Sequence, residues 1–397
     1  MDDLPPEKIE AMLQAAFAGL QSNTRQLFDF PHPVLIEGGE YQGIWLEGGP
    51  HQSLLYAEFD AEIAKAGHEI FFHHQRVDGY IPCAIFENRV ITGQIQGVVP
   101  LARTSWELAQ QSKDEAFLSS AYKACRRYDA WLAANRNTRG TGCIEMFCEF
   151  DSGHDRSPRI AGLPEQCPQQ NPGRCPDISG LPYLAPDMSA TVYGGRLALA
   201  GMAEALGLPD EAAEWLEKGE TLRKAILDNC FDAEDEFFYD VDAFGHFRKF
   251  RGDAITRVFS EGVVDAALFE KIYARYIRNP AEFWTPFPFP SISPADPSYL
   301  CTIDRNSWDG PSMALTALRA PRWMERYGKK DDLLRLMQTW LKAIVRAEAF
   351  YQQLHPFEGY MKVSQGYSPA MFVLIDFTGR LGLRLAGERH CCNRTPA

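Results

Sequence analysis

The chain has no Lys/Arg run and no long apolar run, and each absence argues against one class of partner. Its 40 basic and 53 acidic side chains give a formal net charge of −13. Nucleic-acid phosphates are bound by clustered positive charge, so this balance argues against a nucleic-acid partner. No stretch approaches the ~18 uninterrupted apolar residues of a membrane span, and residues 1–10 lack the basic and apolar regions of a signal peptide. The sequence therefore predicts a soluble, cytoplasmic protein without a membrane partner.

Cysteine spacing gives no indication of a metal site or of a disulfide framework. The ten cysteines include no Cys-x-x-Cys pair, and their other spacings fit no zinc pattern. Reduced thiols are the default for a chain without a signal peptide. One pair, Cys167 and Cys175, brackets a Pro-rich loop and could bridge in an oxidised preparation.

Alternating β-branched runs are scarce as well, whereas helical periodicity dominates. Apolar residues recur every three or four positions in residues 7–20, as in an amphipathic helix. No fixed solenoid repeat is present, and long, dissimilar loops separate the helical segments. The pattern predicts an all-α toroid with inner and outer helices in one domain, 1–385, followed by a polar tail, 386–397. The other predicted helical segments are 54–74, 100–112, 115–134, 189–206, 210–229, 265–277, 312–327, 331–350 and 368–382.

Three of the long loops are rich in Trp, His, Asp and Glu, and loops longer than about 12–15 residues are usually functional. The most informative loop segment is 149–159, EFDSGHDRSPR, which holds Asp151 and Asp155 on a turn constrained by Gly and Pro. Taken alone, either aspartate could instead cap a helix or pair with Arg156 or Arg159.

This segment resembles the Ser-Gly-x-Asp-x-Ser-Pro-Arg sequence that bears the general acid in glycoside hydrolase family 63 and the related trehalase family. Further segments resemble the family in the same order, over about residues 41–382. The resemblance is to enzymes of the mannosylglycerate hydrolase and α-glucosidase type. It implies an (α/α)6 barrel with long rim loops that hydrolyses α-linked sugars with inversion. The further segments are 75–82, 231–242, 290–311 and 350–359.

By this resemblance Asp155 is the general acid. Inversion requires two carboxyl groups about 6.5–9.5 Å apart, one to protonate the leaving oxygen and one to activate water. The pKa of the acid must be raised, by burial or by a neighbouring carboxylate such as Asp151. A nearby arginine would oppose that shift, so we expect Arg156 or Arg159 to point elsewhere.

The base position departs from the family pattern. Gln352 stands where the family's Phe-x-Glu motif has its catalytic base, and an amide cannot take a proton from water at neutral pH. The base role is therefore expected at Asp309, which replaces an arginine of the family, or at Glu358. Alternatively, the protein is a phosphorylase with basic side chains around Gln352, or a sugar-binding relative without turnover.

The remaining site residues follow from the same motifs. Trp45 and Trp308, with Trp284 as a further candidate, are expected to stack on the sugar, and Glu47 corresponds to an aspartate of the family. The sequence thus predicts an inverting α-glycosidase for a small α-glucoside or α-mannoside, a monomer or homodimer, without metal or organic cofactor. Further predicted substrate contacts are Gln75, Asp78, Gly79, Asp151, Arg159 and Gln352.

Overall fold

The computed structural model describes residues 5–383, so the predicted polar tail, 386–397, lies outside the described residues. Twelve α-helices make up most of the secondary structure of this part of the chain. They are α1 (Pro6–Ser22), α2 (Gly49–Tyr56), α3 (Ala61–His73), α4 (Leu101–Ser112), α5 (Glu115–Asn135), α6 (Pro186–Ala205), α7 (Pro209–Cys230), α8 (Ile255–Glu261), α9 (Ala266–Ile272), α10 (Ala314–Arg326), α11 (Lys330–Ala347) and α12 (Ser368–Arg380).

The helices form two concentric rings. The inner helices α2, α4, α6, α8, α10 and α12 pack in succession, and α12 returns to α2 to close the ring. Outside them, α1 packs on α12, α3 on α2, α5 on α4, α7 on α6 and α11 on α10. Large buried rings such as Trp323, Trp340 and Phe259 belong to the core of this arrangement. The predicted (α/α)6 barrel is confirmed.

Local chemistry explains most helix boundaries. In α11 the buried side chains recur at helical spacing, and acidic residues at its start and Arg346 in its last turn complement the helix dipole. The predicted segment 54–74 is two helices, because the Asp60 carboxylate accepts from the backbone N–H groups of Glu62 and Ile63 and starts α3. The sequence prediction missed α8, which is only seven residues long.

The six inner helices all begin at the same mouth of the barrel, and the loops that precede them form its rim. Glu47 lies just before α2, Asp253 just before α8 and Tyr367 just before α12, so distant loops meet there.

No helix within residues 5–383 is long and apolar enough to cross a membrane. Short strands brace the loops: β1 (Thr24–Gln26), β2 (Pro33–Leu35), β3 (Gly43–Trp45), β4 (Ala84–Phe86), β5 (Val90–Ile91), β6 (Glu145–Met146), β7 (Tyr183–Leu184), β8 (Phe231–Asp232), β9 (Phe237–Phe238), β10 (Asp240–Val241), β11 (Phe247–Arg248), β12 (Ser312–Met313), β13 (Gln353–Leu354) and β14 (Met361–Lys362).

Candidate active site

Asp155 lies in the loop between β6 and β7, held between two other rim segments. Gly153 has a φ of +65°, and a Cβ there would lie 2.6 Å from Glu47 Oε2, so glycine allows the loop to press against Glu47. On the other side, the Trp308 N–H donates to the Asp155 carbonyl at 3.0 Å. These contacts place the Asp155 carboxyl group at the mouth of the barrel.

The Asp155 carboxyl group has the electrostatics of a general acid. Burial raises its pKa to about 7, with further increases from the charges of Glu47 and Glu149 and opposing effects from Arg156 and Asn306. Asn306 Nδ2 donates to Asp155 Oδ2 at 2.6 Å. With this pKa, a substantial fraction of the group is protonated at neutral pH, as proton donation to a leaving group requires.

Asp151 was predicted to raise this pKa and to contact the substrate. Its carboxylate instead binds groups in the protein interior. It is fully buried and pairs with Arg136, and it accepts the backbone N–H groups of Ile95 and Phe147 at 2.8 Å. A fully buried carboxylate with these partners has no surface left for a sugar. We assign Asp151 to anchoring the loop that carries Asp155; the carboxylates that raise the Asp155 pKa are Glu47 and Glu149.

Arg159 also forms its ion pairs in the protein interior, beneath the loop that carries Asp155. Its guanidinium binds Asp187 at 2.6 Å and Asp240 at 2.6 Å, and all three side chains are buried. Arg156 is exposed and donates to the Asn306 carbonyl at 2.9 Å. The expectation that at least one of these arginines points elsewhere is confirmed. Arg159 thus supports the loop by binding the carboxylates of Asp187 and Asp240.

Gln352, at the family's base position, connects to Asp155 through one amide. Its Oε1 accepts from the Tyr41 hydroxyl at 3.0 Å, and its Nε2 donates to Asn306 Oδ1 at 3.2 Å. Asn306 in turn donates to Asp155. Gln352 and Asp155 thus both form hydrogen bonds to the Asn306 side chain. The side-chain partners of Gln352 are neutral, unlike the cationic cluster that a phosphate would need.

The two carboxylates predicted as a relocated base have other neighbours. Asp309 is buried, and its Oδ1 accepts the Thr302 N–H at 2.8 Å within the same rim loop. Glu358 has a side chain that is 70% exposed, with His355 at 4.0 Å. These contacts give neither group a link to Asp155. A base role for Asp309 or Glu358 stays a prediction.

The three tryptophans expected to stack on the sugar lie in different surroundings. Trp45 is partly exposed and meets the Tyr41 ring edge-on, with centroids 5.4 Å apart, beside Gln352. Trp308 is buried and lies 4.5 Å from the His154 ring, one residue from Asp155. Trp284 packs in the core against Phe289. Trp284 is therefore part of the barrel core, because its ring has no exposed face for a sugar.

The motif at 75–82 contacts the outer helix α5. Gln75 donates to a backbone carbonyl of the outer helix α5 at 2.9 Å, and the exposed Asp78 accepts from the Trp131 indole of that helix. Gly79 has a φ of +101°, and a Cβ there would lie 2.5 Å from the Arg127 carbonyl. The structure thus uses Gln75, Asp78 and Gly79 to fasten a loop to α5 and does not bring them to Asp155.

Sequence reasoning missed most of the polar side chains inside the ring. Buried polar atoms nearly always have hydrogen-bond partners, so a group of unpartnered ones calls for a ligand or water. Of these residues, only Glu47 was recognisable in the sequence, because it follows Trp45 where the family has an aspartate. The buried atoms near the site without a hydrogen-bond partner in the protein are Glu37 Oε1, Glu47 Oε1, Gln52 Nε2 and Oε1, Gln96 Oε1, Asp253 Oδ1 and Arg319 Nε.

Two groups of side chains within residues 5–383 lie close enough together to share a metal ion. Cys148, Asp151 and Cys167 lie close enough to share an ion, but Asp151 is already paired with Arg136. Cys167 and Cys175, which could bridge only in an oxidised preparation, are free thiols as expected by default, and Cys167 Sγ lies 3.7 Å from Cys148 Sγ. Asp29, His73 and His74 form a second cluster.

A polar cavity of about 640 Å³ opens at the opposite mouth of the barrel. Its charged lining is balanced, with Arg322 paired to Glu107 and Arg380 paired to Asp376. Arg319, which lies 3.6 Å from Glu47, separates this cavity from the rim.

A profile of the mannosylglycerate hydrolase MGH1-like glycoside hydrolase domain matches residues 41–368. The fold is similar to the mannosylglycerate hydrolase of family 63 from Thermus thermophilus, solved with Tris, at 17% identity and a TM-score of 0.75, covering 92% of this chain and all of that one. The neutral trehalase of Saccharomyces cerevisiae follows at 14% identity and a TM-score of 0.66, covering 93% of this chain and 81% of the trehalase. A rhamnosidase from Klebsiella oxytoca with bound rhamnose shares 15% identity and a TM-score of 0.64, covering 95% and 64%.

No curated protein sequence matches the chain. The family profile nevertheless spans most of the barrel, from Tyr41 beside Gln352 to Ser368 at the start of α12, and includes the Asp155 loop. This chain therefore belongs to the mannosylglycerate hydrolase MGH1-like glycoside hydrolase family.

Proposed function

We propose that this protein is an inverting α-glycosidase acting on a small α-glucoside or α-mannoside, with Asp155 as general acid. The observation that carries the proposal is the half-buried Asp155 carboxyl group, whose pKa is raised to about 7 by desolvation and by the charges of Glu47 and Glu149. A carboxylic acid that stays partly protonated at neutral pH can donate to a poor leaving oxygen. The named activities of the solved relatives, on mannosylglycerate and trehalose, support a small substrate.

The surroundings of Asp155 suit a single sugar ring. Trp45 and Tyr41 offer aromatic surface at the rim, where apolar sugar faces can stack. The unpartnered atoms of Gln52, Gln96 and Arg319 offer donors and acceptors for hydroxyl groups. In this proposal the sugar lies inside the ring with its glycosidic oxygen at Asp155.

Binding without turnover is the second candidate, and Gln352 is the observation that favours it. The family's base has become an amide that contacts Tyr41 and Asn306. Without another group to deprotonate water, the barrel would hold a sugar and leave it intact.

One screen decides between the two. The purified protein is incubated with small α-glucosides and α-mannosides, and the anomer released is followed by NMR. The proposal expects hydrolysis with the β-anomer formed first. Sugar binding by calorimetry with no turnover on any of these substrates would instead select the binding protein, and release of the α-anomer would exclude inversion.

The alkaline limb of kcat/KM is expected to respond to Glu149. Asp155 must be protonated to act, so activity should fall as the pH rises through about 7, the pKa of its carboxyl group. The Glu149 charge raises that pKa, so Glu149→Gln should move the limb to lower pH. The exposed Asp177→Asn serves as the charge-matched control. An unmoved limb in Glu149→Gln would contradict the assignment of this limb to Asp155.

A further inference from the structure

We infer that Asp29, His73 and His74 form a binding site for a first-row transition-metal ion, with Zn²⁺ as the ion that their donor atoms suit. The site lies at the end of the outer helix α3, and the inference is independent of the proposed glycosidase function. Asp29 lies ahead of the residues that match the family, 41–368, so the family match does not account for the site.

The fold brings the three side chains together from two segments. β2 packs on α3, which places the β1–β2 connection and its Asp29 beside the end of that helix. Adjacent positions within a helix point in different directions, but α3 ends at His73, and His74 follows it with a φ of −89° and a ψ of 9°. The two imidazole rings have centroids 4.8 Å apart and planes at 89°. In this arrangement both Nε2 atoms lie close to the same carboxylate oxygen.

The distances match those between ligands of one ion. His73 Nε2 lies 3.4 Å and His74 Nε2 lies 3.5 Å from Asp29 Oδ1. Both distances exceed the usual N–H···O range of about 2.7–3.2 Å. Zn²⁺ lies about 2.0–2.2 Å from histidine nitrogen and carboxylate oxygen, so its tetrahedral ligands lie about 3.3–3.5 Å from one another. The two nitrogens are therefore spaced from the oxygen as ligands of a shared ion are.

His74 supplies a second, independent observation. Its side chain is 9% exposed, and its Nε2 is buried without a hydrogen-bond partner in the protein. Buried polar atoms nearly always have a partner, so this nitrogen indicates a ligand. Two imidazoles and a carboxylate are donors that Zn²⁺ accepts. The Asp29 and His73 side chains are 65% and 44% exposed, which leaves the ion an entry path and leaves water access to a fourth coordination position.

Phenylalanines on either side of Asp29 hold the two imidazole rings. The Phe28 ring lies 5.6 Å from the His74 ring, and the buried Phe30 meets the His73 ring edge-on at 5.6 Å. One tripeptide thus carries the carboxylate and packs against both histidines. Packing that fixes the rotamers of the ligands is what a preorganised metal site needs. A bound ion would join the β1–β2 connection to the end of α3.

The test is a Zn²⁺ titration of the full chain, without an affinity tag, followed by calorimetry. Loss of an outer partner of a metal ligand lowers affinity by about 10–100-fold, so Asp29→Asn, His73→Gln and His74→Gln should each weaken one binding event at least about tenfold. Asp29 and His73 are exposed, so these two variants should keep the metal-free thermal unfolding midpoint of the wild type. The control is His246→Gln, because the exposed His246 lies 3.5 Å from Asp242 as a pair with one imidazole.

Two further measurements identify the ligands. Zn²⁺ should raise the unfolding midpoint of the wild type and of the control, since binding to the folded state stabilises it, and should raise that of Asp29→Asn much less. Co²⁺ should give the intense visible bands of a four-coordinate site without the near-ultraviolet band of a thiolate ligand. Wild type that does not bind Zn²⁺, a thiolate band, or an equal loss of affinity in His246→Gln would overturn the inference. Unchanged affinity in the folded Asp29→Asn and His73→Gln variants would do so as well.

Discussion

Asp155→Asn is expected to lower kcat for alkyl α-glycosides by about 10²–10⁴-fold, with sugar binding nearly unchanged. An amide has the size of the carboxyl group but no proton to give, and an alkoxide leaves poorly without one. A glycosyl fluoride leaves without protonation, so this substrate should retain far more activity in the variant. Steady-state kinetics on the two substrates, with sugar affinity from calorimetry, measures the difference.

The same variant should not lose stability at alkaline pH. Folding raises the pKa of Asp155 to about 7, so the stabilisation from its proton is present below the unfolded pKa of about 4 and is lost as the pH rises to 7. At pH 8 the melting temperature of Asp155→Asn should equal or exceed that of the wild type. Near-normal turnover of alkyl glycosides by a folded variant would remove the acid assignment.

Asp151→Ala is expected to lower the free energy of unfolding by about 3–5 kcal/mol. Removing one partner of a buried ion pair leaves an uncompensated charge, and here Arg136 would keep its guanidinium in the interior without a carboxylate. The variant also removes the acceptor for the Phe147 N–H. Urea unfolding followed by fluorescence measures the change.

Asp78→Ala is the matched comparison for Asp151→Ala. Asp78 also pairs with an arginine, Arg76, but both side chains are more than 40% exposed, and exposed pairs contribute about 0–1 kcal/mol. Its loss also removes the acceptor of the Trp131 indole, but it leaves no charge buried, so it should cost less stability than the loss of Asp151. A small effect of Asp151→Ala, with normal activity, would show that Asp151 does not anchor the loop.

The sequence by itself determined most of the helices and the order of the site motifs. Helical periodicity is a local property, so the apolar spacing of a segment such as α11 predicts that segment before any packing is known. The Ser-Gly-x-Asp segment is equally local, and it led directly to Asp155 and to the family. The amide at Gln352 was visible in the same way, because it departs from a contiguous motif.

Only the tertiary structure decided which groups surround Asp155. A pKa depends on distances and burial in space, and Glu47 comes from a different rim loop that closure of the ring brings to Asp155. The same closure buried Asp151 on Arg136, while it left Gln75 on the outer helix α5. Polar residues of the site motifs thus became an anchor and a fastening contact, because the barrel placed each one in a different environment.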